Sequence, residues 1–137
     1  MKPIELTIKQ EPTAKGRART AYRNGVVRTY TPEKTLIAQN AIVALLQRYK
    51  KDCFGVHVPV KLTCTFYRKK SKWLPKRETL PVRKPDLDNF LKLVMDGMNH
   101  LLVSDDAQIT TINMAKRWSD KPYGYIVLKL EGDTDVC

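Results

Sequence analysis

KPDLDNFLKLVMDGMNHLLVSDDAQI, Lys84 to Ile109, is the stretch from which the fold is read. Leu87, Leu91, Val94, Met95, Met98 and Leu102 share one side of a helical wheel. Asp88, Lys92, Asp96 and Asn99 gather within one quadrant of the other. The spacing predicts an amphipathic helix over Leu87–Leu102, with Asp86 as its N-cap and Asp88 in its first turn. Ser104-Asp105-Asp106 then reads as a turn, and Ile109–Trp118 as a strand.

Upstream, Ile4–Lys9 alternates apolar and polar residues, as a half-buried strand does. Tyr22-Arg23 and Val26-Val27 flank Asn24-Gly25, the pair favoured in a type I′ hairpin turn. Thr31 as N-cap and Pro32 at the first helical position open a helix that ends near Lys51. Its apolar face is Leu36, Ile37, Ile42, Val43, Leu45, Leu46 and Tyr49. A further strand alternates over Val56–Tyr67. Downstream, Ser119–Pro122 leads to a last strand over Tyr123–Leu130, and the tail GDTDVC reads as frayed. The fold class is α+β (mixed α/β): a single small domain over residues 1–137, with one mixed β-sheet packed against two main helices.

A chain of 137 residues suits one core and is short for two. With 42% hydrophobic and 28% charged residues it reads as globular and not disordered. The net charge of +11 favours an anionic partner, nucleic acid ahead of a membrane surface. MKPIELTIKQ lacks the apolar core of a signal peptide and no apolar run is long enough for a bilayer, so a soluble cytoplasmic protein is expected. Cys53, Cys64 and Cys137 form no CxxC pair and, even with His57, lack the spacing of a zinc site; they read as reduced thiols. His57 and His100 read as surface or interface histidines.

Two basic segments flank the helix. An arm over about residues 15–31 carries Lys15, Arg17, Arg19, Arg23 and Arg28. A loop over about residues 68–85 sets eight basic residues, among them Lys69, Lys70, Lys72, Lys76, Arg77, Arg83 and Lys84, against one acid. An isolated charge run is usually a solvated face; two in one small domain read as DNA-binding surfaces that track phosphates. Trp73 in the loop either stacks on an unpaired base or pins the loop to the core.

Against that background Asp86, Asp88, Asp96, Asp105 and Asp106 place five of the 14 acidic residues in one stretch. Carboxylates weaken a basic protein's grip on a polyanion, so the cluster suggests a positive occupant. Singly, each has an ordinary role: a cap, an i,i+4 pair between Asp88 and Lys92, or a turn residue. Together they make a metal site if the helix and the following strand pack side by side. Mg²⁺ takes oxygen ligands, typically one or two carboxylates with water and substrate phosphate. A lysine on the same face stabilises negative charge in the transition state.

These residues resemble the signature of the RusA-type Holliday junction resolvases of bacteria and their phages. The matching elements are Asp86-Leu87-Asp88-Asn89, Lys92, Asp96 and Asp105-Asp106-Ala107-Gln108, and Pro12–Arg19 is similar to the basic opening of many members. The resemblance implies a RusA-like fold and a homodimer acting on branched DNA. The activity it implies is resolution of four-way junctions by paired symmetric nicks, in recombination and repair, with Mg²⁺ (Mn²⁺ as a substitute) and no small-molecule cofactor. It casts Asp86, Asp88 and Asp106 as catalytic metal ligands, Asp105 as a supporting one and Lys92 as the active-site lysine. Asp96 is left as a structural partner for Lys92. Asn99-His100 departs from the Asn-Gly of many relatives, so the helix runs on or caps differently. Two other readings stand beside this one. One is a nonenzymatic or inactive prophage DNA-binding protein whose acids only cap and pair; the other is an endonuclease preferring other branched DNA.

Overall fold

Alternation of apolar side chains builds the main sheet. In a computed structural model describing residues 3–16, 19–30 and 32–133, four strands take part: β1 (Ile4–Ile8), β4 (Val60–Arg68), β5 (Ile109–Trp118) and β6 (Tyr125–Gly132). Their order is β1-β6-β4-β5. Only the β4–β5 pair is parallel, which makes the sheet mixed, as expected. Ile4, Leu6, Ile8, Val60, Leu62, Cys64, Phe66, Leu128 and Leu130 point to one buried face. Two helices cover that face: α1 (Glu33–Leu46) and α2 (Leu87–Met98). A Cβ at Gly97 would lie 3.0 Å from Ile42 Cγ2, so glycine lets the two helices approach closely.

A separate hairpin, β2 (Arg19–Arg23) and β3 (Val26–Tyr30), turns through Asn24 and Gly25, both at positive φ (52° and 75°). This is the type I′ geometry that the Asn-Gly pair predicts.

Several boundaries differ from the sequence reading. Pro32 is the N-cap of α1 and Glu33 its first residue, one position later than expected; Thr31 lies outside the described residues. The buried stripe of α1 is Thr35, Ala38, Ile42 and Leu46, while Leu36 and Ile37 are exposed. At the start of this stripe Gly16 N–H donates to Thr35 Oγ1 at 2.9 Å, which satisfies the buried hydroxyl. A 3₁₀ turn, Gln47–Asp52, carries the chain on from α1. The fourth strand begins at Val60, after His57 in a left-handed conformation (φ 64°), and β6 begins at Tyr125. Arg68 ends β4, so the basic loop begins one residue later. α2 stops at Met98, four residues short of the predicted end: Asn99 takes extended backbone (φ −62°, ψ 134°) and His100 the left-handed region (φ 62°). Its ring Nδ1 lies 2.6 Å from Ser104 O. Of the tail, Gly132 belongs to β6 and Asp133 is held by the Thr110 and Thr111 hydroxyls at 2.6 and 2.7 Å; residues 134–137 lie outside the described set.

Cys64 is fully buried in the core and its burial pushes the thiol up to about 12, whereas Cys53 is exposed. Thiolate is the reactive species. Brief treatment of the native protein with a maleimide, read by peptide mapping, is therefore expected to label Cys53 and spare Cys64 until denaturant is added.

Candidate active site

The parallel pair β4 and β5 is joined through the basic loop and α2, so the N-terminus of α2 lies by the carboxyl ends of those two strands. In open α/β sheets that is where ligands bind. Asp86 holds the N-cap position (φ −70°, ψ 150°), but its side chain makes no capping hydrogen bond; its backbone carbonyl accepts from Asn89 N–H at 3.1 Å. The carboxylate instead faces solvent and meets Lys84 Nζ at 3.2 Å. Asp88 and Lys92 stand 3.7 Å apart on the exposed face, the i,i+4 pair read from sequence. Opposite them Phe90, Leu91, Leu93, Val94, Gly97 and Met98 are buried. The period of the helix therefore separates a buried apolar face from an exposed polar one, as expected.

The remaining acids gather at the other end of α2. Asn99 Oδ1 accepts from Asp106 N–H at 3.0 Å. From Asp88 to Asn99 the chain climbs about 16 Å at 1.5 Å per residue. Among the described residues no group of three or more His, Cys, Asp or Glu side chains is close enough to hold a metal ion. Within one chain, then, the geometry keeps Asp86 and Asp88 together on α2 and leaves Asp106 apart from them.

Asp105 caps the short 3₁₀ turn Asp106–Gln108, accepting from Ala107 N–H at 3.1 Å, while Gln108 Oε1 accepts from Asp105 N–H at 3.0 Å. The Ala107 N–H, followed by a hydrogen bond with Asp106, holds Asp105 below the usual carboxylate range. That same bond with Asp105, then partial burial and the charges of Asp105 and Asp96, holds Asp106 above it. As pH falls, Asp106 is the one that takes the proton.

Asp96 pairs with Lys15 Nζ at 2.5 Å and not with Lys92, a correction to the expected partner. Lys15 N–H also donates to Asn89 O at 3.0 Å, so the arm is fastened along α2 at two points. Of the other basic candidates, Arg23 and Arg28 are exposed on the hairpin; Arg17 and the side chain of Arg19 lie outside the described residues. In the loop, Lys70 Nζ donates to Glu78 O at 2.6 Å and Arg83 pairs with the Glu78 carboxylate at 2.6 Å. Lys69, Lys72, Lys76 and Arg77 are exposed. Trp73 is 87% exposed and does not pin the loop; Trp118 does, donating from Nε1 to Glu78 O at 3.0 Å. The fastening of this loop had no local signal in the sequence, since Trp118 sits 40 residues beyond its partner.

The family model for endodeoxyribonuclease RusA matches residues 9–129, nearly the whole chain. The chain belongs to the RusA family of junction-resolving endodeoxyribonucleases. The YqaN protein of Bacillus subtilis (strain 168), itself uncharacterized, is 29% identical over 136 residues, spanning 92% of this chain and 95% of its own length. The crossover junction endodeoxyribonuclease RusA of Lactococcus phage r1t is 36% identical over 81 residues, 56% of this chain and 58% of the phage protein. No helix among the described residues of this RusA-family chain is long and apolar enough to cross a membrane.

Proposed function

We propose that this chain resolves four-way DNA junctions by paired symmetric nicks, as a homodimer, with Mg²⁺ held by Asp86 and Asp88. The observation that carries the reading is the N-cap of α2. A cap aspartate ordinarily spends its carboxylate on orphan N–H groups, yet Asp86 makes no such bond and turns its oxygens outward beside Asp88. Two exposed carboxylates with only lysine ammonium groups to balance them fit the sparse oxygen donor set that Mg²⁺ takes with water and substrate phosphate. They do not fit zinc, which favours nitrogen and sulfur ligands.

When bound there, a divalent ion supplies Lewis acidity toward the scissile phosphate and makes water more nucleophilic. Asp86 and Asp88 would hold the ion and orient the reacting groups, with Lys84 and Lys92 beside them at 3.2 and 3.7 Å. Lys92, on the same exposed face as Asp88, would offer its ammonium to the phosphate oxygens as negative charge develops. Water contributes the new P–O bond, one ester P–O bond breaks, and the departing oxygen takes up a proton. The exposed Lys69, Lys72, Lys76 and Arg77 guide the duplex arms by their phosphates.

Two symmetric nicks need two sites related by a two-fold axis, which a C₂ homodimer supplies. The dimer also gives Asp106 a role: too far along α2 to join Asp86 and Asp88 in its own chain, it reaches that pair from the other subunit. Asp105, committed to capping its turn, supports Asp106. The work belongs in the cytoplasm of a bacterial cell, during recombination and repair, where branched DNA arises.

The test is a labelled synthetic four-way junction, with linear duplex and flap substrates beside it, in Mg²⁺, Mn²⁺ and EDTA. Symmetric paired nicks in the junction, absent in EDTA, are expected. Junction binding without cleavage at saturating protein would favour a nonenzymatic DNA-binding protein, and faster flap cleavage would move the substrate to another branched form.

A further inference from the structure

Two cationic side chains from the ends of β4 and β5 are tied to the backbone just before Asp86. Lys116 Nζ donates to Pro85 O at 3.0 Å and to Arg83 O at 3.2 Å. Arg68 Nη1 donates to Lys84 O at 3.2 Å. Three consecutive carbonyls, at residues 83, 84 and 85, are thus held by two charges. Phe66 pairs with Lys116 and Arg68 with Trp118 across the parallel strands, so both donors project from the helix-covered face of the sheet. The Arg68 guanidinium also sits over the Phe90 ring of α2 at 5.7 Å, with its Nε buried and without a partner. Leaving a buried donor unsatisfied is costly, and the arrangement persists because the same group bridges the strand end, the carbonyl of Lys84 and the helix. A basic loop that tracks DNA would otherwise leave the residues just before Asp86 with no fixed path. Here the rigid sheet sets that path.

We propose that Lys116 and Arg68 are positioning residues for the nuclease site: they clamp Arg83–Pro85 and so fix where Asp86 and Asp88 present their carboxylates. The inference rests on the metal-site reading above for its effect on cleavage, while the clamp itself is a property of the chain alone. Neither residue need touch DNA. Small misplacement of a catalytic group is expensive: about 1 Å can cost roughly 100-fold in rate.

Lys116 is the residue to change, since it is partly exposed and its removal spares the core. Hydrogen exchange of the apo protein, with neither metal nor DNA, is expected to show faster exchange across Asp86–Asn89 in Lys116→Met, and near wild-type protection in Lys116→Arg. With junction at saturation, Lys116→Met should lower the cleavage rate by about tenfold or more and raise the Mg²⁺ concentration for half-maximal rate. Its junction affinity in EDTA should stay close to wild type, and Lys116→Arg should recover most of the rate. If Lys116→Met folds poorly, Lys116→Gln keeps a donor nitrogen on a shorter, uncharged side chain and should fall between. Unchanged exchange at Asp86–Asn89 would overturn the clamp. So would a loss confined to junction affinity with the salt slope reduced by about one, which marks a phosphate contact. If wild-type protein cleaves no junction, the functional reading fails and the exchange result still decides the clamp.

Discussion

Asp88→Asn is expected to lower the junction cleavage rate by roughly 10³-fold while leaving junction affinity in EDTA within about threefold, a loss near 4 kcal/mol in the transition state. Asparagine keeps the shape and one oxygen of the side chain but removes the charge by which Asp88 is proposed to hold a divalent ion. Asp88 is exposed and, among the described residues, pairs with Lys92 at 3.7 Å, a surface contact worth a few tenths of a kcal/mol. Stability should therefore hardly move, and lost activity cannot be blamed on unfolding. Removing a negative charge from a basic surface can only tighten phosphate contact. If Asp88→Asn cleaves at the wild-type rate, the metal site lies elsewhere.

The same variant tests how the site is shared. Asp88→Asn and Asp106→Asn should each be inactive alone. In the proposed homodimer, mixing them as unfolded chains and refolding them together should yield heterodimers. In those, one site combines an intact Asp88 with an intact Asp106 of the partner subunit, and the other site combines both asparagines. Single nicks should return, without the paired nicks that resolve a junction. Were each chain to complete its own site, every heterodimer would carry two broken sites and no nick would return.

How much of this was legible in sequence depends on whether the interaction is local. The polar face of α2 was readable because the helical period brings Asp88, Lys92 and Asp96 into line without reference to the rest of the chain. The bounds of β5 matched because a turn and an alternating run delimit them. Placing β6 between β1 and β4 requires pairings across more than a hundred residues, which no window of sequence carries. The face of α1 is read only in part: Ile42 and Leu46 are buried and Val43, Leu45 and Tyr49 pack against the core, but Leu36 and Ile37 are exposed, and counting apolar residues cannot foresee that Gly16 satisfies a buried Thr35. Asp96 was assigned the nearest lysine on its helix, when the arm delivers Lys15 from 81 residues away. Lys116 and Arg68 look like any other cations of a basic protein, and only the fold shows that they spend their donors on carbonyls.

Gln108→Leu is expected to give the largest loss of stability among site-region changes, about 3 kcal/mol, or roughly 10 °C in Tm for a domain of this size. Gln108 is one of the few buried polar residues, and every polar atom of its side chain is used. Nε2 donates to Gly55 O at 2.6 Å and to Val58 O at 3.0 Å; Oε1 accepts from Asp105 N–H at 3.0 Å. Leucine matches the volume but leaves Val58 O and Asp105 N–H without partners, each worth about 1–3 kcal/mol if water cannot reach it, while Gly55 O keeps only the Val58 N–H at 3.3 Å. Partial access to solvent at residues 55–58 pulls the sum toward the lower end. Gln108→Glu sharpens the test. Its carboxylate can still accept from Asp105 N–H, but it faces two carbonyl oxygens with no proton to offer. The deficit relative to wild type should be greatest at pH 7 and shrink as pH falls and the acid regains a donor. Thermal melts of wild type, Gln108→Leu and Gln108→Glu at pH 7 and pH 5 would read both effects. Equal deficits for Glu at the two pH values would show that these carbonyls are already hydrated. Since the same side chain holds the turn that presents Asp106, Gln108→Leu should also lose cleavage at temperatures well below its Tm, which ties the stability of this corner to the completeness of the site.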